Sequence, residues 1–197
     1  MHKNTENIAE MNLRRSLGLI TFAGCLAMVY ITVITNPVFV DFLRKSGANE
    51  FHIGLITGVP MVMLVMQFVG GFLSNRLSRR RPVFMACSII GRLMYIPVAF
   101  LPHLAPAIGQ NTVLSFMVLL VAVSGALVNI AVPLWFSWMA DLIPSPLMSR
   151  YWGLRQYWLQ LTWMAAFVAV AAFSYFLQLP SQVAFPVLAI LGVTAGM

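Results

Sequence analysis

Charge is what this chain has least of. Only 9% of its 197 residues are Asp, Glu, Lys or Arg, while 60% are hydrophobic; a soluble globular domain carries about 25% charge. Together with a mean hydropathy of +0.88, that scarcity excludes an ordinary water-soluble domain. Acids are rarest. Beyond Glu6 and Glu10 there are only Asp41, Glu50 and Asp141, all near the ends of apolar runs. Neither a carboxylate nor a histidine lies mid-run, so an intramembrane proton relay is not expected from this sequence. The two cysteines, Cys25 and Cys87, sit singly inside apolar runs. They offer no disulfide framework or metal-ligand spacing and read as packing residues. A nucleophile–base pair, a metal cluster and a phosphate-binding loop are all missing, so neither an enzyme nor a cofactor is expected. The apolar runs show no period-2 alternation, which speaks against a β-barrel.

What is present is basic and clustered. The net charge of +7 is carried by short blocks between apolar runs, a distribution that fits the positive-inside rule and not nucleic-acid binding. The sharpest block is Gly70-Gly71-Phe72-Leu73-Ser74-Asn75-Arg76-Leu77-Ser78-Arg79-Arg80-Arg81-Pro82, with four arginines in six residues between two long uncharged stretches. It reads as a tight turn joining two membrane helices.

Six apolar segments are expected as helices, at about 16–40, 52–75, 82–102, 112–141, 151–178 and 181–197, after a polar and poorly ordered cytoplasmic tail over residues 1–12. The first is too long for the apolar core of a signal peptide. The third and fourth are separated at His103-Leu104-Ala105-Pro106, and Leu179-Pro180-Ser181-Gln182 divides the last two. Nine basic residues (Lys3, Arg14, Arg15, Arg76, Arg79, Arg80, Arg81, Arg150 and Arg155) fall on one side, against Arg44 and Lys45 on the other. The N-terminus is therefore expected in the cytoplasm. The sixth segment, at about 25 Å, is shorter than the roughly 30 Å hydrocarbon core, and on that ground the chain is expected to be a fragment.

Gly71-Phe72-Leu73-Ser74-Asn75-Arg76-Leu77-Ser78-Arg79-Arg80 resembles the signature joining helices 2 and 3 of the major facilitator superfamily, roughly Gly-x-Leu-Ala-Asp-Arg-x-Gly-Arg-Arg. Asn75 stands where that signature has its acid, and Ser78 where it has its second glycine. Trp138-Met139-Ala140-Asp141-Leu142-Ile143-Pro144, followed by Arg150-Tyr151-Trp152-Gly153-Leu154-Arg155, is similar to the helix 4–5 junction of many bacterial members, and Gly91-Arg92 in helix 3 also looks like the family. The resemblance implies an all-α membrane protein whose six transmembrane helices form two inverted three-helix repeats. It further implies a multi-pass protein of the bacterial inner (plasma) membrane that moves a small solute by alternating access. The partners are then the bilayer, the solute, and a second six-helix half or a homodimer partner. Pro37 and Pro133, each 21 residues after the start of its run (Ser16 and Thr112), are candidate repeat equivalents.

Candidate site residues follow. Arg92 lies about ten residues past Pro82, roughly 15 Å deep, where a charge demands a bundle interior or water. It reads either as a handle for an anionic or hydroxyl-rich substrate or as a structural arginine bonding helix carbonyls or polar side chains of a neighbour. Ser88 and Tyr95 share its face. Trp152, Gln156, Gln160 and Trp163 form one helical face that suits a planar, hydroxylated solute or, more simply, interhelical packing. Asn129, Pro133, Ser137 and Asp141 make a stripe on the fourth helix, and Thr21, Cys25, Met28, Thr32 and Thr35 one on the first. The resemblance implies that these two helices line a central cavity, which brings in Asn129, Thr32 and Asn36. A cytoplasmic gate is expected from Gly71, Asn75, Arg76, Arg79, Arg80, Asp141, Arg150 and Arg155, with Asp141 as the acidic partner of the arginines. Gly54, Gly58, Gly70 and Gly71 are expected to permit close helix approach. The competing reading is a membrane scaffold, or a degenerate half-transporter, that keeps the bundle without moving a solute.

Overall fold

Backbone groups held away from water must find partners within their own segment, and apolar sequence of this kind meets that demand by coiling into helices. The computed structural model describes residues 2–177 and 179–196, with side chains from Leu13 onward except that of Leu177. Among the described residues every regular element is helical. Five helices are long and apolar enough to cross a membrane: span 1 (Leu13–Lys45), span 2 (Glu50–Arg76), span 3 (Arg80–Ile108), span 4 (Gln110–Leu142) and span 5 (Ser145–Phe176). A shorter apolar helix, Ser181–Gly196, follows as span 6. Large apolar side chains face outward, Phe68 being 81% and Phe176 80% exposed. That surface suits a hydrocarbon solvent and not water.

Helix ends and breaks depart from the sequence expectation for reasons that lie in single residues. The first helix begins at His2, so it takes in the residues assigned to a polar tail. Span 1 breaks at Asn36. Pro37 has no N–H and pushes the preceding residue out of the helical region, and Asn36 is extended (φ −77°, ψ 150°), its side chain capping the next helix by accepting from the Val38 N–H at 3.1 Å. Pro133, by contrast, lies inside the unbroken helix Gln110–Leu142. In span 3 the helix stops at Leu93 and restarts at Tyr95, where Pro97 leaves the Leu93 carbonyl without its usual donor. The loop expected at 103–106 is helical: a 3₁₀ turn, Leu101–Leu104, leads into Ala105–Ile108. Reversal comes instead at Gly109, whose φ of +87° favours a residue without Cβ. Span 5 begins at Ser145, six residues earlier than expected, because Pro146, Ser149 and Arg150 interrupt the apolar run over its first turns.

Span 4 packs along spans 2 and 3, span 1 packs along spans 5 and 6, and span 6 also meets span 3. Two of these contacts are backbone-close. A Cβ on Gly70 would lie 2.4 Å from the Ile130 carbonyl oxygen, and one on Gly91 would lie 2.9 Å from Val128 Cγ2. Ser124 secures the second approach by donating to the Gly91 carbonyl at 2.7 Å. A Cβ on Gly54, Gly58 or Gly71 would meet nothing within 4 Å, so of the four glycines expected to pack helices together Gly70 alone makes a close approach.

The bundle is packed unequally along its length. At one end the principal core gathers Tyr30, Phe39, Phe42, Tyr95 and Phe185, with Phe185 4.7 Å from Phe39 and 4.6 Å from Phe42 between ring centroids. Gln110 and Gln182 tie this end by donating to the Ser46 and Lys45 carbonyls, the latter at 3.1 Å. A smaller core of Leu17, Met139 and Ile143 lies at the opposite end. There the start of span 1, the end of span 4 and the arginine turn come together; this is the basic end.

Because the obstacle at Gly70 is backbone, Gly70→Ala is expected to lower the melting temperature of the purified protein, at an overpacking cost of about 1–3 kcal/mol. Gly71→Ala should leave it within experimental error. Equal effects would show that the span 2–span 4 contact is not the tight one.

Candidate functional site

Unequal packing leaves a cavity of about 350 Å³ toward the basic end, walled by spans 1, 3 and 4, with Arg155 from span 5 and Gly196 from span 6. Its wall on span 1 is made of Ile20 and the small residues Ala23, Gly24 and Ala27, and on span 4 it includes Ala131, Val132, Trp135 and Trp138. Span 3 supplies Arg81, Phe84, Met85, Ser88 and Arg92. Three guanidinium groups thus line one space. Arg81 stands at its mouth, 5.6 Å above the Trp138 ring. Arg92 lies eleven residues further along span 3, roughly 16 Å deeper. Arg155 is intermediate, 4.6 Å over Trp135 and 5.5 Å from Trp152.

The acids are engaged elsewhere. Asp41 pairs with Lys45 at 2.8 Å, Glu50 with Arg44 at 3.1 Å, and Asp141 with Arg80 at 2.5 Å. Among the side chains described, from Leu13 onward, no carboxylate is left for the cavity arginines. Arg92 donates to the Gly196 carbonyl and sits 5.7 Å from the Tyr30 ring. Arg155 has the Tyr151 hydroxyl beside it, but its Nε is buried with no hydrogen-bond partner.

The residues expected to bind are distributed by this geometry. Arg92 and Ser88 face the cavity; Tyr95 does not. The helix break at Met94 changes the phase of the face, and Tyr95 is buried edge-on against Tyr30 at 5.9 Å. Thr32 is fully buried and returns its hydroxyl to the Met28 carbonyl at 2.8 Å, while Asn36 is the buried cap of the span 1 break. Asn129 accepts from Gln67 at 3.1 Å and donates to the Gly125 carbonyl at 2.9 Å, which joins span 4 to span 2. The expected face on span 5 divides. Trp152 enters an aromatic cluster with Trp135, 5.4 Å away, whereas Gln156 and Gln160 are exposed along a separate shallow groove with Tyr157 and Met164. Trp163 is 40% exposed and packs on Phe167.

At the basic end Arg80 makes the ion pair with Asp141 and also donates through Nε to the Ser74 carbonyl at 2.8 Å. It thereby joins the C-terminal turn of span 2, where a cation is favoured, to the end of span 4. Asn75 is exposed and bonds to neither. Arg76 stacks over Phe72 at 4.5 Å. Arg79 occupies the cap position of span 3 without a side-chain cap, and Arg150 is exposed. A Cβ on Gly71 would meet nothing within 4 Å, and the Gly71 carbonyl accepts from the Ser74 hydroxyl at 2.7 Å. Arg155, expected with the gate, is in the cavity. Reading the sequence for polar stripes missed Trp135 and Trp138. Their i, i+3 spacing puts both on one face, and that was the signal available.

Comparison with family models, curated proteins and solved structures returned no match to this chain.

Arg80 is only partly exposed but Asp141 is well solvated, so their coupling should be modest. A double-mutant cycle of Arg80→Gln and Asp141→Asn is expected to give about 0.2–1 kcal/mol, shrinking in high salt. A coupling near zero at low salt would remove the ion pair from the account.

Proposed function

We propose that this chain is a six-helix half of a secondary transporter of the major facilitator type, moving a small solute across a membrane by alternating access. The observation that carries the reading is the cavity with three arginines in a bundle otherwise built of apolar helices. Intramembrane charge is costly and is characteristically found on substrate pathways. The helix pairing supports the repeat expected from the resemblance. Exchanging spans 1–3 with spans 4–6 turns the 2–4 contact into 5–1 and the 3–4 contact into 6–1, and returns the 3–6 contact to itself. Each of these contacts is present.

Packing supplies the mechanical part. The aromatic core around Phe185 seals the end away from the arginine turn, and the cavity opens toward the basic end, as an inward-facing transporter half requires. The basic end is then cytoplasmic by the positive-inside rule, and the membrane a bacterial inner membrane. Arg80, Asp141 and the Ser74 carbonyl form a latch at that end, able to open and re-form as a second bundle rocks against this one.

The test is a melting screen of the purified full chain against sugars, organic anions and organic cations, followed by uptake of the stabilising class in cells. One class is expected to raise the melting temperature, and its uptake should fall to background with Arg92→Gln at equal protein abundance. A well-folded protein that no class stabilises and that moves no solute would instead be the scaffold.

A further inference from the structure

We infer that the cavity binds an amphipathic organic anion, an apolar or planar body bearing a phosphate, sulfonate or more than one carboxylate, whose charged group is held between Arg92 and Arg155. This names the cargo of the site proposed above and rests on that reading for what the binding accomplishes.

The argument is one of charge balance. Each of the three described acids already has a basic partner on the surface of the bundle. The cavity therefore holds three cations, Arg81, Arg92 and Arg155, and among the side chains described, from Leu13 onward, no carboxylate lines it. Like charges sharing an apolar enclosure repel one another and lose hydration, and both penalties are relieved by a bound anion. Arg155 carries the most direct sign, since its Nε is buried and unbonded on the cavity side of the bundle. Guanidinium groups present fork-shaped sets of donors that match phosphate and carboxylate oxygens two at a time. A neutral sugar would leave the charges unbalanced, and a cation would add to them.

The rest of the wall describes the body of the ligand. Ile20, Ala23, Ala27, Met85 and Val132 are apolar, and Trp138 lies in a stack with Phe84 at 6.4 Å. An inorganic ion would leave this surface uncovered, whereas an aryl or alkyl group would bury it. A volume of about 350 Å³ lies within the range of small-ligand sites. The series from Arg81 at the mouth to Arg155 and Arg92 within draws an anion inward along the basic end, with a strength that falls as salt screens it.

The probe is 4-nitrophenyl phosphate, whose nitrophenyl group quenches indole fluorescence on contact, titrated into the purified full chain. Saturable quenching is expected that weakens with salt and is lost in Trp135→Phe/Trp138→Phe. Inorganic phosphate should compete weakly, and the neutral 4-nitrophenyl glucoside should not bind. Arg92→Gln and Arg155→Gln should each weaken binding at least tenfold, while Arg15→Gln, exposed at the same end but outside the cavity, leaves it unchanged. If Arg92→Gln fails to fold, Arg155→Gln and Arg92→Lys carry the comparison. Equal binding of the neutral glucoside, unchanged affinity in folded Arg155→Gln, or no saturable quenching of a folded protein would each overturn the inference. The two proposals fail separately. An anion that binds but is never translocated defeats the transport reading alone, and uptake of a neutral solute without anion binding defeats the cargo assignment alone.

Discussion

A guanidinium carried into an apolar bundle needs either a counter-charge or water, and the different ways this chain meets that need organise its structure. Arg80 finds Asp141 and a helix-end carbonyl and becomes a tie between spans. Arg44 pairs with Glu50 across the turn at the opposite end. Among the side chains described, Arg81, Arg92 and Arg155 meet aromatic faces, a backbone carbonyl and a tyrosine hydroxyl. These contacts are weaker than an ion pair, and the three groups line one open space.

The opening has a structural counterpart at the other end. Phe39, Phe42 and Phe185 pack ring against ring there, and dense aromatic packing of that kind is stiff. The basic end holds a small core and a partly exposed ion pair worth little in free energy. In the proposed transporter reading, stiffness at one end and a weak closure at the other would give the bundle its pivot. Span 4 connects the two regions, running unbroken from the aromatic core to Asp141 with Trp135 and Trp138 on its cavity face.

How much of this was legible in the sequence depended on which residues carried the signal. Apolar runs bounded by arginines or by Pro180 announced the helices, and Arg92 and Asp141 stood out because charge is rare in such runs. Three kinds of information were not local. The turn between spans 3 and 4 is set by Gly109, while the more conspicuous prolines at 102 and 106 sit inside helical turns. Tyr95 shares a face with Arg92 only if the helix is continuous, and the break at Met94 turns it into the core. Asn129 and the span 4 stripe have the right spacing for a cavity, yet which face of span 4 meets span 2 is decided by Gly70, whose lack of a side chain lets the backbones meet. Among the arginines of the turn, composition could not single out Arg80 as the partner of Asp141.

The central claim is that the bundle is sealed at the aromatic end and open at the arginine end, so that its interior charges meet solvent from one side. Labelling by a membrane-impermeant thiol reagent of Ser88→Cys, set in a background without Cys25 and Cys87, measures this directly. The account predicts that the cysteine at position 88 reacts only with reagent supplied on the side where a Ser78→Cys marker reacts. Protection from both sides, or reaction from the Phe185 end, would contradict it.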